Sequence, residues 1–292
     1  MIFFGCFNRH FFLDFSGFDP GGIAAKEQGD QFHTFTSCFE DKRFDERNWA
    51  ELVNGQMQTR AHYVMPNQDT FMADLDKLIW HQEEPFTTAS IFAQWCIMRE
   101  AREANIPVLL DGQGADEVLC GYRKFTIYYL RELVQHKRFG TLFRELGALL
   151  RRGDRGLLNL GDAQRYLPTW LRKRGRDSSH YLSENAQIEY SETRSRIAGK
   201  SGVSARQKLD IDHFSVPSLL RYEDRNSMAF SIESRVPFLD YRLVGCAVSL
   251  LTHLKITNGC SKSILRRAMR GTVPDAVLDR RDKMGFVTPQ KV

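Results

Sequence analysis

The sequence lacks the features of several large classes of protein. No uninterrupted apolar run in its 292 residues approaches the roughly 18 residues that a membrane-spanning helix requires. The apolar start, MIFFGCF, has no basic segment before it and is soon followed by Asn8, Arg9 and His10, so we expect no signal peptide. The chain also has no internal repeat and no low-complexity tract. These absences favour a globular protein without a membrane partner.

The cysteines do not form a metal-binding or redox motif. There are six of them, with no CxxC pair and no histidine at metal-ligand spacing. Cys38, Cys96 and Cys246 lie in apolar segments typical of buried free thiols. We therefore expect reduced cysteines and a cytoplasmic location.

The net charge of +5 comes largely from one basic, glycine-rich stretch at residues 151–176. Such a segment can bind nucleic acid or phosphates, but a solvated helix and loop is the plainer interpretation. No zinc-finger spacing, RNA-binding aromatic motif or heptad repeat accompanies it. We therefore expect no nucleic-acid partner.

Hydrophobic periodicity predicts alternating strands and helices in residues 1–124. The predicted strands are 10–15, 34–39, 61–65 and 107–110, and the predicted helices are 45–59, 67–80 and 90–104. This alternation predicts a parallel sheet covered by helices, whose ligands bind beyond the carboxyl ends of the strands. Helices are predicted at 125–150 and 181–208, so residues 125–292 are expected to form a mostly helical lobe.

The segment DGQGADEVLCGY, residues 111–122, directly follows the fourth predicted strand. Its glycines allow close approach of a ligand to the backbone, and a helix N-terminus favours phosphate. A carboxylate at Asp116 would repel phosphate unless a hard cation lay between them, which suggests Mg²⁺. A plain turn before a helix whose acidic residues favour its positive end explains the same residues. The residues alone leave both interpretations open.

Three further segments carry weaker signals. The loop SGFDPGG at 16–22 has glycines and a serine that could hold phosphate, with Asp19 as a second metal ligand, although a plain turn is simpler. Residues 215–240 interleave charged and apolar residues, which indicates either anion recognition or a structural ion-pair network. Lys283, before Met-Gly-Phe, is either phosphate-directed or an ordinary surface lysine.

Taken together, these segments resemble the synthetase domain of the glutamine-dependent asparagine synthetase family. Residues 111–122 are similar to its G-[EDQ]-G-A-D-E-x-x-x-G-Y motif, and LLRYEDRNSMAFSIESRVPFLD at 219–240 is similar to a second long motif. The segments FDE at 44–46, EPF at 84–86 and KMGF at 283–286 also have counterparts. The resemblance runs from about residue 10 to the end of the chain.

The resemblance implies an α/β fold of the pyrophosphatase-loop, or adenine nucleotide alpha-hydrolase-like, type. A parallel sheet with flanking helices would form the nucleotide-binding part at 1–124, and a helical lobe at 125–292 would add substrate-site residues. It implies ATP and Mg²⁺ as cofactors and aspartate and ammonia as substrates, with an aspartyl-adenylate that ammonia converts to asparagine and AMP. Ammonia would be free or supplied by a separate glutaminase subunit, and a homodimer is compatible with this interpretation.

The resemblance also implies roles for individual residues. The residues expected to bind ATP or pyrophosphate are Ser16, Gly17, Ser37, Asp111, Gly112 and Tyr122. Asp19 and Asp116 would bind the metal, Lys283 and Gln113 would be catalytic, and Arg225, Glu233 and Arg235 would lie on the substrate side. Glutamate is frequent in the family at the position of Gln113. Glutamine cannot act as a base, but it could orient the acyl-adenylate.

The sequence departs from the family pattern in its phosphate loop. The family has S-G-G-x-D-S, whereas this chain has SGFDP at 16–20, and Pro20 donates no backbone N–H. The family also has a glutaminase domain of roughly 200 residues with a leading cysteine nucleophile. We expect no such domain here, because 292 residues leave little room for it and Cys6 is not the first residue. Three alternatives follow: a catalytically impaired fragment, a non-enzymatic binding protein, or a relative acting on a different carboxylate.

Overall fold

The computed structural model describes the backbone of residues 2–5 and residues 32–86, 88–153 and 202–280. Its strands are β1 (Ile2–Gly5), β2 (His33–Ser37), β3 (Arg60–Val64), β4 (Val108–Leu110) and β5 (Glu233–Arg235). Its α-helices are α1 (Arg47–Met57), α2 (Gln68–Gln82), α3 (Ser90–Glu103), α4 (Ala115–Val118), α5 (Arg123–Gln135), α6 (Phe139–Arg152), α7 (Val203–Leu209), α8 (Val216–Ala229), α9 (Tyr241–Ser249), α10 (Thr252–Lys255), α11 (Ser263–Ala268) and α12 (Asp275–Leu278). A π-helical turn covers Asp210–Phe214, and a 3₁₀ turn covers Pro237–Leu239.

The five strands form one sheet in the order β3-β2-β1-β4-β5. The pairs β2–β3 and β4–β5 are parallel, whereas β1 is antiparallel to both of its neighbours. Strands β2 to β5 therefore point in the same direction, and their carboxyl ends share one edge of the sheet. The prediction of an entirely parallel sheet was wrong at β1. Helical segments connect the two strands of each parallel pair, as parallel pairing requires.

Helices cover both faces of this sheet. The predicted inner side of α3, at Ile91, Trp95, Met98 and Ala101, is buried. Met98 and Ala101 pack with Phe35 of β2 and Leu109 of β4. On the opposite face, Thr34 Oγ1 donates a hydrogen bond of 3.0 Å to Asn54 Oδ1 on α1. The predicted α/β class is confirmed, because a sheet with two covered faces is typical of that class.

Two features of the later chain differ from the sequence prediction. The helix predicted at 125–150 is two helices, α5 and α6, separated where Lys137 adopts the left-handed conformation with φ of 55°. Strand β5 lies within the predicted helical lobe, yet it pairs with β4 in the sheet. The strand predicted at 10–15 and most of the helix predicted at 181–208 lie outside the described residues. No helix within the described ranges is long and apolar enough to cross a membrane.

Candidate active site at the carboxyl ends of the strands

The loop that begins at Asp111 leaves the sheet at the edge where β2, β3, β4 and β5 have their carboxyl ends. Leu110, the last residue of β4, is paired with Arg235, the last residue of β5. The Asp111 N–H donates a hydrogen bond of 2.7 Å to the Arg235 carbonyl oxygen, so the first loop residue remains fixed to the sheet. Asp111 is fully buried. The sequence prediction that this loop follows a buried parallel strand is confirmed.

A buried ion pair lies directly beside this loop. The Lys262 ammonium is 2.8 Å from Oδ1 of Asp116, and both side chains are almost completely removed from solvent. Asp116 is in α4, which directly follows the loop, whereas Lys262 immediately precedes α11 in the helical part of the chain. The pair therefore connects the edge of the sheet to that helical part.

Two glycines make room for this arrangement. A Cβ at Gly121 would overlap both Oδ1 of Asp116 and Cε of Lys262. Gly114 has φ of 87°, and a Cβ there would overlap the side chain of Leu239. Glycine suits these positions because it adopts left-handed backbone readily and has no Cβ to overlap its neighbours. The glycines of this motif therefore hold the loop in close contact with its neighbours.

Glu117 is a second buried acid beside Asp116. Its Oε1 accepts hydrogen bonds from the Tyr122 hydroxyl at 2.9 Å and from the Ser215 hydroxyl. Burial, and then the negative charge of Asp116, raise the pKa of Glu117, while the two hydrogen bonds oppose that rise. Tyr122, predicted to line the nucleotide site, thus holds a carboxyl group of the same loop. Ser215 adds a contact from the residue preceding α8.

Buried hydroxyl groups lie at the end of β2, on the same edge of the sheet. The Oγ1 of Thr36 and the Oγ of Ser37 are buried and have no hydrogen-bond partner among the described residues. Strand β1 separates β2 from β4, so these two strands run about 10 Å apart, twice the usual strand spacing. Buried hydroxyls of this kind fit a polar ligand, and Ser37 was predicted to border one.

The C-terminal end of the described chain is anchored near the end of β2. Nη1 of Arg280 is 2.6 Å from Oε1 of Glu46, the residue that precedes α1, and both side chains are largely buried. The Arg280 guanidinium also lies over the ring of Trp49, 5.1 Å from its centre. This contact tethers the chain three residues before the predicted catalytic Lys283, which itself lies outside the described residues.

The predicted substrate-side residues divide between two locations. Glu233 and Arg235 are on β5 beside the loop, where their exposed side chains form an ion pair of 2.6 Å. Arg225 pairs with Glu83 at 2.6 Å, beyond the end of α2. Because α8 begins beside Ser215, Arg225 lies about 15 Å along the helix axis from that start. Their role in binding substrate stays a prediction.

The charged stretch at 215–240 also contains a buried polar network. Glu223 accepts hydrogen bonds from the Gln94 side chain on α3 and from the Ser234 hydroxyl on β5. Asn226 donates to the Gln94 side-chain oxygen at 2.7 Å and accepts from the Gln82 side chain at 2.8 Å. These residues form a structural network and not an anion-binding site, because their polar groups hold α2, α3, α8 and β5 together.

Part of the predicted phosphate and metal site lies outside the described residues, namely Ser16, Gly17, Asp19 and Lys283. Gly112 is buried in the loop after Asp111, and Gln113 beside it is half-buried. Within the described ranges there is no group of three or more histidine, cysteine or acidic side chains able to hold a metal ion.

Sequence reasoning missed two residues that the structure brings to this site. Lys262 and Arg280 are distant in sequence from Asp116 and Glu46, and a single lysine or arginine in a helical segment is normally a surface residue. The backbone of Lys262 is left-handed, with φ of 53°, and a lysine in the sequence does not predict that conformation. No local pattern could have identified either residue.

Comparison with known proteins agrees with the geometry of the loop. The family model for asparagine synthase matches residues 21–292. Asparagine synthetase [glutamine-hydrolyzing] 1 of Bacillus subtilis is 29% identical over 91% of this chain and 44% of the relative. A putative glutamine-hydrolyzing asparagine synthetase of Mycobacterium tuberculosis is 31% identical over 94% of this chain and 44% of the relative.

A more distant relative carries a different name. Amidase chyE of Penicillium rubens is 23% identical over 88% of this chain and 43% of the relative. The chain thus spans less than half the length of these curated relatives. The family model nevertheless covers most of the chain. The chain therefore belongs to the asparagine synthase family.

Proposed function

We propose that this chain is an ATP-dependent, amide-forming synthetase that adenylates the side-chain carboxylate of aspartate, which ammonia then converts to asparagine. The observation that carries the proposal is the buried Asp111–Gly121 loop at the carboxyl ends of the strands. Ligands of open α/β sheets bind at that edge. Family membership supports the same reaction class.

The reaction has physical needs that these residues can meet. A carboxylate is a poor electrophile until one oxygen becomes part of a good leaving group, which adenylation achieves. The pyrophosphate released in that step gains negative charge, which nearby cations must offset. Lys283 is proposed to supply one of them, and the Arg280–Glu46 contact tethers the segment that leads to it. Gln113 is proposed to orient the acyl-adenylate by hydrogen bonds.

Asp116 is one of the buried carboxylates at this loop and the one we assign to Mg²⁺. Asp116 is proposed to hold the ion together with Asp19, and a bound Mg²⁺ supplies positive charge to the phosphates. Magnesium sites on nucleotides commonly use one or two carboxylates, so a single buried aspartate fits. However, Oδ1 of Asp116 already contacts the Lys262 ammonium, so a metal ion must share or replace that contact.

The proposal is tested by aspartate-dependent exchange of labelled pyrophosphate into ATP. We expect exchange with Mg²⁺ and aspartate, and a large loss of it in Lys283→Ala. Absence of exchange at saturating aspartate and ammonia would reject adenylation of aspartate by this chain. Retention of the full rate in Lys283→Ala would remove Lys283 from the mechanism.

The second candidate function is the adenylation of a carboxylic acid other than aspartate. Gln113 at a position that is often glutamate in the family, together with a distant relative named an amidase, favours including it. Exchange that requires a carboxylic acid other than aspartate would select this candidate. Pyrophosphate binding without exchange for any acid tested would instead select the catalytically impaired form.

A further inference from the structure

Asp210 is a fully buried acid that lies outside the motifs identified in the sequence. Its carboxylate accepts hydrogen bonds of 2.6 and 3.2 Å from the Arg206 guanidinium, and its Oδ2 is 2.7 Å from the Lys124 ammonium. The two cationic side chains are only 16% and 15% exposed. One acid between two buried cations leaves net positive charge, and apolar side chains could join the same helices at a lower desolvation cost. Stability alone therefore does not explain this cluster.

The side chain of Asp210 leads to Tyr122 in the candidate site. Lys124 follows Tyr122 by two residues, and its ammonium lies 4.9 Å from the centre of the Tyr122 ring, which is within the range of a cation–π contact. The Tyr122 hydroxyl in turn donates a hydrogen bond of 2.9 Å to Oε1 of Glu117. Asp210 thus fixes the Tyr122 ring through Lys124.

The backbone of Asp210 leads to the second hydroxyl on Glu117. Asp210 begins the π-helical turn, and its carbonyl oxygen accepts the N–H of Ser215, five residues later, at 3.0 Å. The extra residue of a π-helical turn rotates the following side chains by about 100°, and such turns are frequent at functional sites. Helix α4 packs against this turn, and the Ser215 hydroxyl donates to Oε1 of Glu117.

We propose that Asp210 is a positioning residue for Glu117 in the candidate active site. It holds the Tyr122 and Ser215 hydroxyls together on one carboxylate oxygen, which keeps the carboxyl group in place beside Asp116. The two donors come from segments that are distant in sequence, and Asp210 contacts both segments, one with its side chain and one with its backbone. The importance of this arrangement for the reaction rests on the proposed function.

The test follows the Tyr122 hydroxyl in the full chain by carbon-13 NMR, with tyrosine labelled at Cζ and Tyr122→Phe identifying the signal. In mixed H₂O and D₂O, a hydroxyl whose proton exchanges slowly gives two Cζ signals, from which the rate is measured. We expect the proton to exchange at least about tenfold faster in folded Asp210→Asn, because a hydrogen bond to a charged group is lost. A rate within about twofold of the parent would overturn the proposal, and so would a Tyr122 proton that already exchanges fast in the parent.

Asp74→Asn is the matched control. Asp74 is another buried acid, and it pairs with Arg99 to join α2 to α3. Its replacement should lower stability without changing the exchange of the Tyr122 hydroxyl proton. Equal acceleration in Asp74→Asn and Asp210→Asn would show a general effect of removing a buried acid and would overturn the specific role of Asp210.

A second pair of variants covers the case in which Asp210→Asn does not fold. Lys124→Met breaks the connection to Tyr122 and should accelerate the hydroxyl proton exchange, whereas Arg206→Met removes the other cation from Asp210 and should not. An unchanged rate in Lys124→Met, or the same acceleration in both variants, would overturn the proposal.

Exchange of labelled pyrophosphate into ATP tests the effect on the reaction. Tyr122→Phe with Ser215→Ala removes both hydroxyls, and adding Asp210→Asn should then reduce the pyrophosphate exchange rate no further. A further reduction as large as in the parent would show that Asp210 acts by another route and would overturn its positioning role. The hydroxyl measurement is independent of turnover. Accelerated hydroxyl exchange in Asp210→Asn, with no pyrophosphate exchange in the parent, would refute the proposed reaction and leave this inference standing.

Discussion

The Arg280–Glu46 contact is a buried ion pair whose energetic effect can be measured directly. Its atoms are 2.6 Å apart, and little of either side chain reaches solvent. Removing one partner from a buried pair leaves a desolvated charge, so we expect Arg280→Ala to lower the free energy of unfolding by about 3 kcal/mol. Urea denaturation measures this change.

Arg242 provides the matched control for that measurement. It pairs with Asp240 at 2.8 Å, but the arginine side chain is 75% exposed, so solvent screens the attraction. Arg242→Ala should therefore leave the urea midpoint nearly unchanged. Similar effects of the two substitutions would contradict the distinction between buried and exposed pairs.

Glu117 should make the stability of the protein depend on pH. Burial and the charge of Asp116 raise its pKa in the folded chain, so folding favours its protonated form. Its contribution is fully present below the unfolded carboxyl pKa of about 4.3 and is lost as pH rises through the higher folded value.

Glu117→Gln removes this titration and keeps an oxygen that can accept from Tyr122 and Ser215. We therefore expect the stability of the parent to fall relative to the variant as pH rises from about 4 towards neutrality. Chemical denaturation of both proteins at several pH values measures the difference. A difference that does not change with pH would contradict the raised pKa.

The cysteines differ in their expected reactivity. Burial raises the pKa of Cys38, Cys96 and Cys120 to about 12, so their reactive thiolate forms are scarce. Cys246 was expected to be buried, but it lies on the exposed side of α9. With iodoacetamide at about pH 8, native protein should be modified at Cys246 well before the three buried thiols.

Mass spectrometry of peptides identifies the modified residues in that experiment. Unfolding in urea is the control, because it should make all of these thiols reactive at similar rates. Native-state labelling of Cys38, Cys96 or Cys120 as fast as Cys246 would contradict their burial.

At the scale of single elements, replacing a glycine by alanine should have opposite effects on stability in the loop and in a helix. Gly121→Ala forces a Cβ into the Asp116–Lys262 contact, so we expect a loss of about 2 kcal/mol or more. Gly147→Ala is the matched control, because a Cβ in the middle of α6 meets nothing within 4 Å. It should stabilise the chain by about 0.5–1 kcal/mol.

Thermal or urea unfolding of both alanine variants tests this contrast. A Gly121→Ala protein as stable as the parent would mean that the loop relaxes without cost. That outcome would also weaken the view that this glycine makes room for the ion pair.

Strong local patterns explain which elements were predictable from the sequence. Helix α3 has apolar residues at helical spacing, and β4 is a continuous apolar run after proline, so both follow from local composition. Strands β1 and β5 have four and three residues, too short for a periodic pattern, and only their partners define them. The break between α5 and α6 at Lys137 has no glycine or proline to mark it.

The same limit applies to the candidate site. Its loop at 111–122 was predictable because glycine and acidic residues follow a strand in one continuous stretch. Lys262 was not, because its contact with Asp116 depends on how the helical part packs against the edge of the sheet. A contact between distant segments can be identified only from the fold, whereas a continuous motif can be identified from the sequence.

At the scale of the whole molecule, the site joins the sheet to the later helices. Asp116 contacts Lys262 before α11, Glu117 contacts Ser215 before α8, and Glu46 contacts Arg280 after α12. A ligand bound among these residues should stabilise both parts together. With Mg²⁺ and pyrophosphate at roughly 100 times Kd, we expect about 2.7 kcal/mol of added stability.

Hydrogen exchange locates this stabilisation, because amides are protected where local opening becomes less frequent. Ligand should slow exchange in β4 and in α11 to a similar extent, although these elements belong to different parts of the chain. In Lys262→Met, β4 should keep some protection while α11 loses it, because the ion pair that links the start of α11 to the edge of the sheet is gone. Protection confined to β4 in the parent protein would mean that the ligand contacts the sheet edge alone, and that the buried ion pair does not couple the two parts.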